Sequence, residues 1–146
     1  MAWRFAHFDE LTPREVHDLF QLRVAVFVLE QNCPFQDVDG VDPLSWHLMG
    51  SSGGELQAYC RLVPAGLKYR EASIGRVTTA ASVRRTGAGR ALMAEALARA
   101  EALWPKQPLR IGAQAYLQRF YEGFGFRRVS DEYLEDGIPH IEMLKA

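Results

Sequence analysis

Residues 74–104, "IGRVTTAASVRRTGAGRALMAEALARAEALW", set an apolar run, a basic glycine-containing turn and an amphipathic segment in immediate succession. The run "SIGRVTTA" reads as a strand. Beyond the turn, Leu92, Met93, Ala96, Leu97, Ala100, Leu103 and Trp104 fall on one side of a helix, and Arg90, Glu95, Arg99 and Glu101 on the other. Such a helix must pack against a sheet, and Pro105 ends it by pushing the preceding residue out of helical geometry. The turn leaves backbone N–H groups free at Gly87, Ala88 and Gly89, with Arg84, Arg85 and Arg90 around them. Two of those three residues have no Cβ to block close approach, so the arrangement suits a pyrophosphate. It is not a Walker A loop, because no Gly-Lys-Ser/Thr follows, nor a dinucleotide fingerprint, because Leu92 stands where the third glycine would be. A plain helix start with solvated arginines is the alternative reading, and spacing alone does not separate the two.

Working outward, strands and helices alternate without a linker. "AWRFAHF" alternates as a strand does, and Thr12, Pro13 and Glu15 form a helix start with a capping box. Val16, Leu19, Phe20, Arg23, Val24 and Phe27 continue at helical spacing until the turn-rich "QNCPFQDVDGVDP". "SWHLMG" and "ELQAYCRLV", joined by "SSGG", read as a hairpin. After the central helix come a buried strand "PLRIGAQA", a short helix "YLQRFYEGF", Gly125 as its C′ residue, a strand beginning at Phe126, and a turn with a final strand in "DGIPHIEMLK". The order β-α-β-β-β-α-β-α-β-β implies an α/β fold with a mixed sheet and helices on its faces.

The chain has 146 residues, nearly half of them apolar, which is enough for one domain with a real core, spanning 1–146. A formal charge of -1 gives no global field for nonspecific nucleic-acid binding, so no nucleic-acid partner is expected. No secretory pattern opens the sequence and no apolar run has bilayer length, so a soluble, cytoplasmic protein without a membrane partner is expected. Cys33 and Cys60 lack CxxC spacing, which argues for two reduced thiols and no zinc site.

Arg84, Gly87 and Gly89 in "RRTGAG" fit the Q/R-x-x-G-x-G/A motif of the GNAT superfamily of N-acetyltransferases, and "LQRFYEGFGF" resembles that family's second motif. "LRVAVFVLEQNCPFQDVDGVD" and "YLEDGIPHIEM" are similar to its ElaA-like branch, so the resemblance covers nearly the whole chain. It implies a mostly antiparallel central sheet flanked by helices, with a parallel pair, "GRVTTA" and "RIGAQA", splayed at the acetyl-CoA site. It also implies that the coenzyme A pyrophosphate lies on Arg84, Arg85, Thr86, Gly87, Ala88, Gly89 and Arg90, and that the pantetheine arm pairs with the strand edge at Val77, Thr78 and Thr79. Gln114 stands where many relatives have an asparagine that contacts the cofactor, and is carried as a cofactor contact with that departure. Acetyl-CoA is then the cosubstrate, an amine the acceptor, and no metal takes part. A homodimer is left open.

Tyr121 occupies the family's tyrosine position and is the general-acid candidate for the leaving thiolate. Reference pKa values of about 10 for a phenol and about 8.5 for a thiol make such help feasible without making it large. Packing with Phe120 and Phe124 is its alternative role. Base candidates are Glu30, His47, His140 and Glu142; Glu30, beside the long loop, is carried as base or substrate contact. "HIE", His140 to Glu142, has the form of a deaminase signature, but no Pro-Cys-x-x-Cys follows. Asp37, Asp39 and Asp42 make an acidic loop that would suit a cationic acceptor, or are turn residues bonded to their own backbone. Arg76 would hold an acceptor carboxylate or pair with a carboxylate of this protein. Three functions remain: an acetyl-CoA-dependent N-acetyltransferase acting on a primary amine through a ternary complex, a non-catalytic acyl-CoA-binding or sensing domain, and an acyl-homoserine-lactone-synthase-like acyltransferase, which the pyrophosphate motif disfavours.

Overall fold

The computed structural model describes residues 1–146. Strands β1 (Ala2–His7), β2 (Trp46–Ser52), β3 (Glu55–Val63) and β4 (Ser73–Thr79) form an antiparallel sheet in the order β1-β2-β3-β4. Strands β5 (Leu109–Gln114), β6 (Arg127–Arg128), β7 (Tyr133–Glu135) and β8 (Ile138–Lys145) form a second, in which β8 pairs with the other three. Helices α1 (Pro13–Arg23), α2 (Ala88–Leu103) and α3 (Gln118–Glu122) complete the fold.

Local chemistry sets the boundaries. Thr12 Oγ1 accepts the Glu15 N–H at 3.1 Å and Glu15 returns the bond to the Thr12 N–H at 2.9 Å, the expected capping box. The β2–β3 hairpin turns on Gly53 and Gly54, both at positive φ (61° and 79°), as a two-residue primed turn requires. β3 is buried on both faces: Ala58, Cys60 and Leu62 join the core under α2, whereas Tyr59 packs with Leu19 of α1. Helix α2 sets Leu92, Met93, Ala96 and Ala100 into that core, where full burial of Leu92 or Met93 contributes about 1.5–3 kcal/mol each.

The first helical region runs to Glu30, as expected, and its last stretch, Val24–Glu30, is π-helical. Two local expectations are corrected. The helix of "YLQRFYEGF" is shorter, because Ala115–Leu117 form a 3-10 turn ahead of α3. An additional strand, β7, pairs with β8 through the turn at Asp136 and Gly137, both at positive φ. The Asp-Gly pair is a strong hairpin signal, and it marks this turn in the sequence.

Candidate functional site

The two sheets meet at one parallel contact. Ala72 bridges Leu109, with the Arg110 N–H donating to the Ala72 carbonyl at 2.9 Å, and beyond that point β4 and β5 run on without a ladder between them. The gap is a cavity of about 780 Å³ with Ile74–Thr79 on one wall and Ile111–Gln114 on the other. The π-helical stretch, the long loop after it, Lys68, the start of α2 with the turn before it, α3 with the 3-10 turn ahead of it, and the β7–β8 hairpin supply the rest of its lining. Local pairing creates the opening. β3 advances two residues from Tyr59 to Arg61 while β4 advances three from Gly75 to Thr78, so a bulge sits at Arg76–Val77 opposite Cys60. Arg76 there has φ of 51°, a left-handed conformation that costs a non-glycine residue about 1–2 kcal/mol.

The long loop holds that strained residue. Arg76 Nε lies 2.9 Å from Asp37 Oδ1, an ion pair whose N–H does not point along the line to the oxygen, and Arg76 Nη2 donates to the Asp37 carbonyl at 3.0 Å. Asp37 also accepts from Arg23 Nε at 2.8 Å; Asp42 Oδ1 accepts from Arg23 at 2.7 Å and from Arg61 at 2.9 Å. Arg61 donates further to Asp39. The Arg23 and Arg61 side chains are 0% and 1% exposed, so these charges are compensated by one another rather than by water. Of the two readings of the acidic loop, the structure supports neither in full: Asp37, Asp39 and Asp42 are consumed by arginines of this chain, and Arg76 takes its partner from the same loop. His47 belongs to this assembly. Its Nε2 donates to the Asp42 carbonyl at 3.0 Å and its Nδ1 accepts from the Tyr59 hydroxyl at 2.6 Å, and burial holds its pKa below the usual value.

The turn before α2 has the expected shape. Gly87 is the N-cap at φ 89°, and the first backbone bond of the helix runs from the Ala91 N–H to the Gly87 carbonyl at 3.0 Å. The N–H groups of Ala88, Gly89 and Arg90 therefore have no carbonyl partner. Val77, Thr78, Thr79, Arg84, Gly89, Gln114, Glu30 and Tyr121 line the cavity; Arg85, Thr86, Gly87, Ala88 and Arg90 lie outside its lining, on the adjoining turn. The Thr78 hydroxyl is buried without a hydrogen-bond partner in the cavity wall. Free N–H groups, an unladdered β4 edge and an unpaired hydroxyl fit an extended, amide-rich phosphate ester.

Tyr121 is 6% exposed, makes no side-chain hydrogen bond and lies edge-on to both Phe120 and Phe126. Burial pushes its hydroxyl pKa well above the usual range. The group therefore stays protonated, but is a weaker acid than a phenol in water.

Glu30 and Arg84 bind each other, in a two-pronged pair that includes Arg84 Nη2 to Glu30 Oε2 at 2.6 Å; Arg84 also donates to the Thr79 carbonyl at 3.1 Å. The Arg84 bonds and charge hold the Glu30 carboxyl below its ordinary range, which makes it a poor proton acceptor. On the expectation that this turn holds a pyrophosphate, Glu30→Gln releases Arg84 toward it and tightens coenzyme A binding roughly two- to fivefold, the scale of an exposed ion pair. Calorimetry with coenzyme A checks this; weaker binding would mean that the pair itself shapes the site.

Of the remaining base candidates, Glu142 accepts from Arg110 at 2.9 Å and does not line the cavity, whereas His140 does line it. Sequence reasoning missed Glu135, which β7 brings beside His140, and Cys33, whose thiol donates to the Asp136 carbonyl at 3.3 Å and ties the long loop to the β7–β8 turn. Both cysteines are free and buried. No group of three or more His, Cys, Asp or Glu side chains could hold a metal ion, and no helix is long and apolar enough to cross a membrane.

Residues 58–146 match the acetyltransferase (GNAT) domain family. The chain is 43% identical to protein ElaA of Escherichia coli over 99% of this chain and 96% of that protein. The crystal structure of an acyl-CoA N-acyltransferase from Pseudomonas aeruginosa superposes with a TM-score of 0.95 at 44% identity, covering 100% of both chains. That of Escherichia coli ElaA superposes at 0.94 with 41% identity, covering 99% of each. With the splayed parallel strands, the bulge and the glycine turn in place, the chain belongs to the GNAT acetyltransferase family, in its ElaA-like branch.

Proposed function

We propose that this N-acyltransferase moves the acetyl group of acetyl-CoA to a primary amine, of a small molecule or a protein, by direct attack within a ternary complex. The observation that carries the reading is the single cavity between β4 and β5. Its wall contains the unladdered β4 edge, Gly89 at the start of α2, and Tyr121 with no hydrogen-bond partner of its own. In this reading the N–H groups of Ala88, Gly89 and Arg90 hold the pyrophosphate with help from the dipole of α2. Val77, Thr78 and Thr79 pair with the pantetheine arm as a strand would, and Gln114 faces it from β5. The bulge leaves one residue of β4 without a partner on β3, so its N–H is free to polarise the thioester oxygen. Tyr121 protonates the departing thiolate, and the Glu30–Arg84 pair borders the site.

The acid role has a direct test. Tyr121→Phe keeps the ring and its packing but removes a donor that acts mainly in the transition state. Because burial weakens the phenol as an acid and a thiolate leaves readily, kcat is expected to fall by about a hundredfold or less. Coenzyme A affinity and melting temperature are expected to stay near wild type. Steady-state kinetics following thiol release, with calorimetry on both proteins, reads all three; an unchanged kcat would remove Tyr121 from the chemistry. A Cys33→Ser, Cys60→Ser protein is expected to retain turnover, since direct transfer needs no acyl-enzyme.

A further inference from the structure

We infer that His140, with Glu135 beside it, is the proton acceptor for the incoming amine, an assignment that rests on the reaction proposed above. His140 stands on β8 opposite Gln114 of β5 and lines the cavity, with its side chain 10% exposed. Its Nδ1 lies 2.7 Å from the Ile138 carbonyl oxygen. A carbonyl can only accept, so Nδ1 carries the proton and the neutral ring keeps its lone pair on Nε2. Glu135 Oε2 is 3.4 Å from that Nε2, close enough to stabilise an imidazolium. Once Nε2 is protonated, both ring N–H groups have an acceptor at hand. The Tyr133 ring packs beside the imidazole, 6.0 Å away and tilted by 31°.

The other candidates are engaged elsewhere: Glu30 by Arg84, Glu142 by Arg110, and His47 by Asp42 and Tyr59. Around His140 the ionisable groups are Tyr133 and Glu135 on β7, Asp136 in the turn, Glu142 on β8, Cys33 from the long loop, Tyr69 beside Tyr133, and Lys68, which lines the same cavity; β5 offers the uncharged Gln114. The acidic groups of the hairpin thus favour a cationic amine arriving on this side.

An acceptor ammonium gives one proton to His140 Nε2 and becomes nucleophilic. Its nitrogen forms the C–N bond as the C–S bond breaks. Tyr121 gives its proton to the sulfur and is reprotonated by the second proton leaving the new amide nitrogen. His140 releases its own proton to water, so the products are the amide, the free thiol and one proton.

The test is the pH dependence of kcat/KM with acetyl-CoA and butylamine, 1,4-diaminobutane or Nα-acetyl-lysine, for wild type, His140→Gln, His140→Asn and Glu135→Gln. His140→Asn retains a donor for the Ile138 carbonyl, so it guards against loss of folding, and melting temperatures accompany all variants. Both His140 variants are expected to lose about a hundredfold at neutral pH with KM for acetyl-CoA unchanged. They are also expected to lose the acid-side ionisation and to recover as pH rises and free amine accumulates. Glu135→Gln, altered on an exposed carboxylate, is expected to lower kcat/KM at neutral pH with KM for acetyl-CoA unchanged, because the imidazolium formed on proton transfer loses its counter-charge. A rate loss that leaves the acid limb in place would reduce His140 to a structural residue and overturn the inference, as would an unchanged kcat/KM in Glu135→Gln. Wild type that binds coenzyme A but releases no thiol with any of the amines would overturn the proposed acetyl transfer and this inference with it; turnover with normal profiles in the variants would overturn the inference alone.

Discussion

Asp42→Ala is expected to cost about 3–5 kcal/mol of stability, because it leaves the buried guanidinium groups of Arg23 and Arg61 without a shared carboxylate. Domains of this kind have roughly 5–15 kcal/mol in total, so the loss is a large fraction of the whole. The transition should fall by about 10–15 °C at this chain length, read by calorimetry or by urea unfolding with unchanged slope. A shift of only 1–2 °C would mean that water reaches these groups and that the network does little. The same carboxylates set the acid limit. Burial raises the Asp39 carboxyl, but the bonds and charge of Arg61 and the charge of Arg76 outweigh it and bring it down to about 2; Asp42 is lowered in the same way, Arg23 and Arg61 outweighing its burial. A carboxyl depressed in the folded state stabilises the protein above its unfolded value of about 4, and that contribution is lost as pH falls from there toward 2. Asp39→Asn should flatten the stability curve in that window and nowhere else.

Gly87→Glu is expected to weaken coenzyme A binding by about 2–4 kcal/mol, or roughly thirtyfold to several-hundredfold in Kd. Nothing lies within 4 Å of a Cβ at this position, so bulk is not the cause. Two other terms act. A non-glycine residue at φ 89° strains the turn, and a carboxylate beside the free N–H groups repels a pyrophosphate. Gly87→Gln separates them, since glutamine matches glutamate in shape and in left-handed strain but brings no charge. It should retain most of the affinity. Equal losses in both variants would assign the effect to backbone strain, and unchanged affinity in Gly87→Glu would move the phosphate site elsewhere.

Short-range chemistry was enough for much of the fold. The Thr12–Glu15 box, the Gly53–Gly54 turn, the amphipathic face of α2 and the apolar β3 are properties of adjacent residues, and each formed where its local pattern required. The glycine turn was legible for the same reason: Gly87 needs only its own φ and the free N–H groups of the next turn. The turn at Asp136 and Gly137 was legible, but β7 was not, because its three residues are too few to announce themselves as a strand.

What the sequence could not decide was which charges would meet. Arg76 was compatible with a substrate carboxylate or a protein one, and the choice depended on Asp37, 39 residues away, being carried over the β4 bulge by the folded loop. Glu30 looked like a free carboxylate until Arg84, 54 residues later, closed on it. His140 and Glu135 are neighbours only because the hairpin folds them together. Helix starts, turns and buried faces are fixed by interactions within a few residues, so the sequence determined them by itself. The splay of β4 from β5, the compensation of the buried arginines and the identity of the group free to take a proton depend on electrostatic partners and strand registers brought from across the chain, and those only the tertiary structure decided.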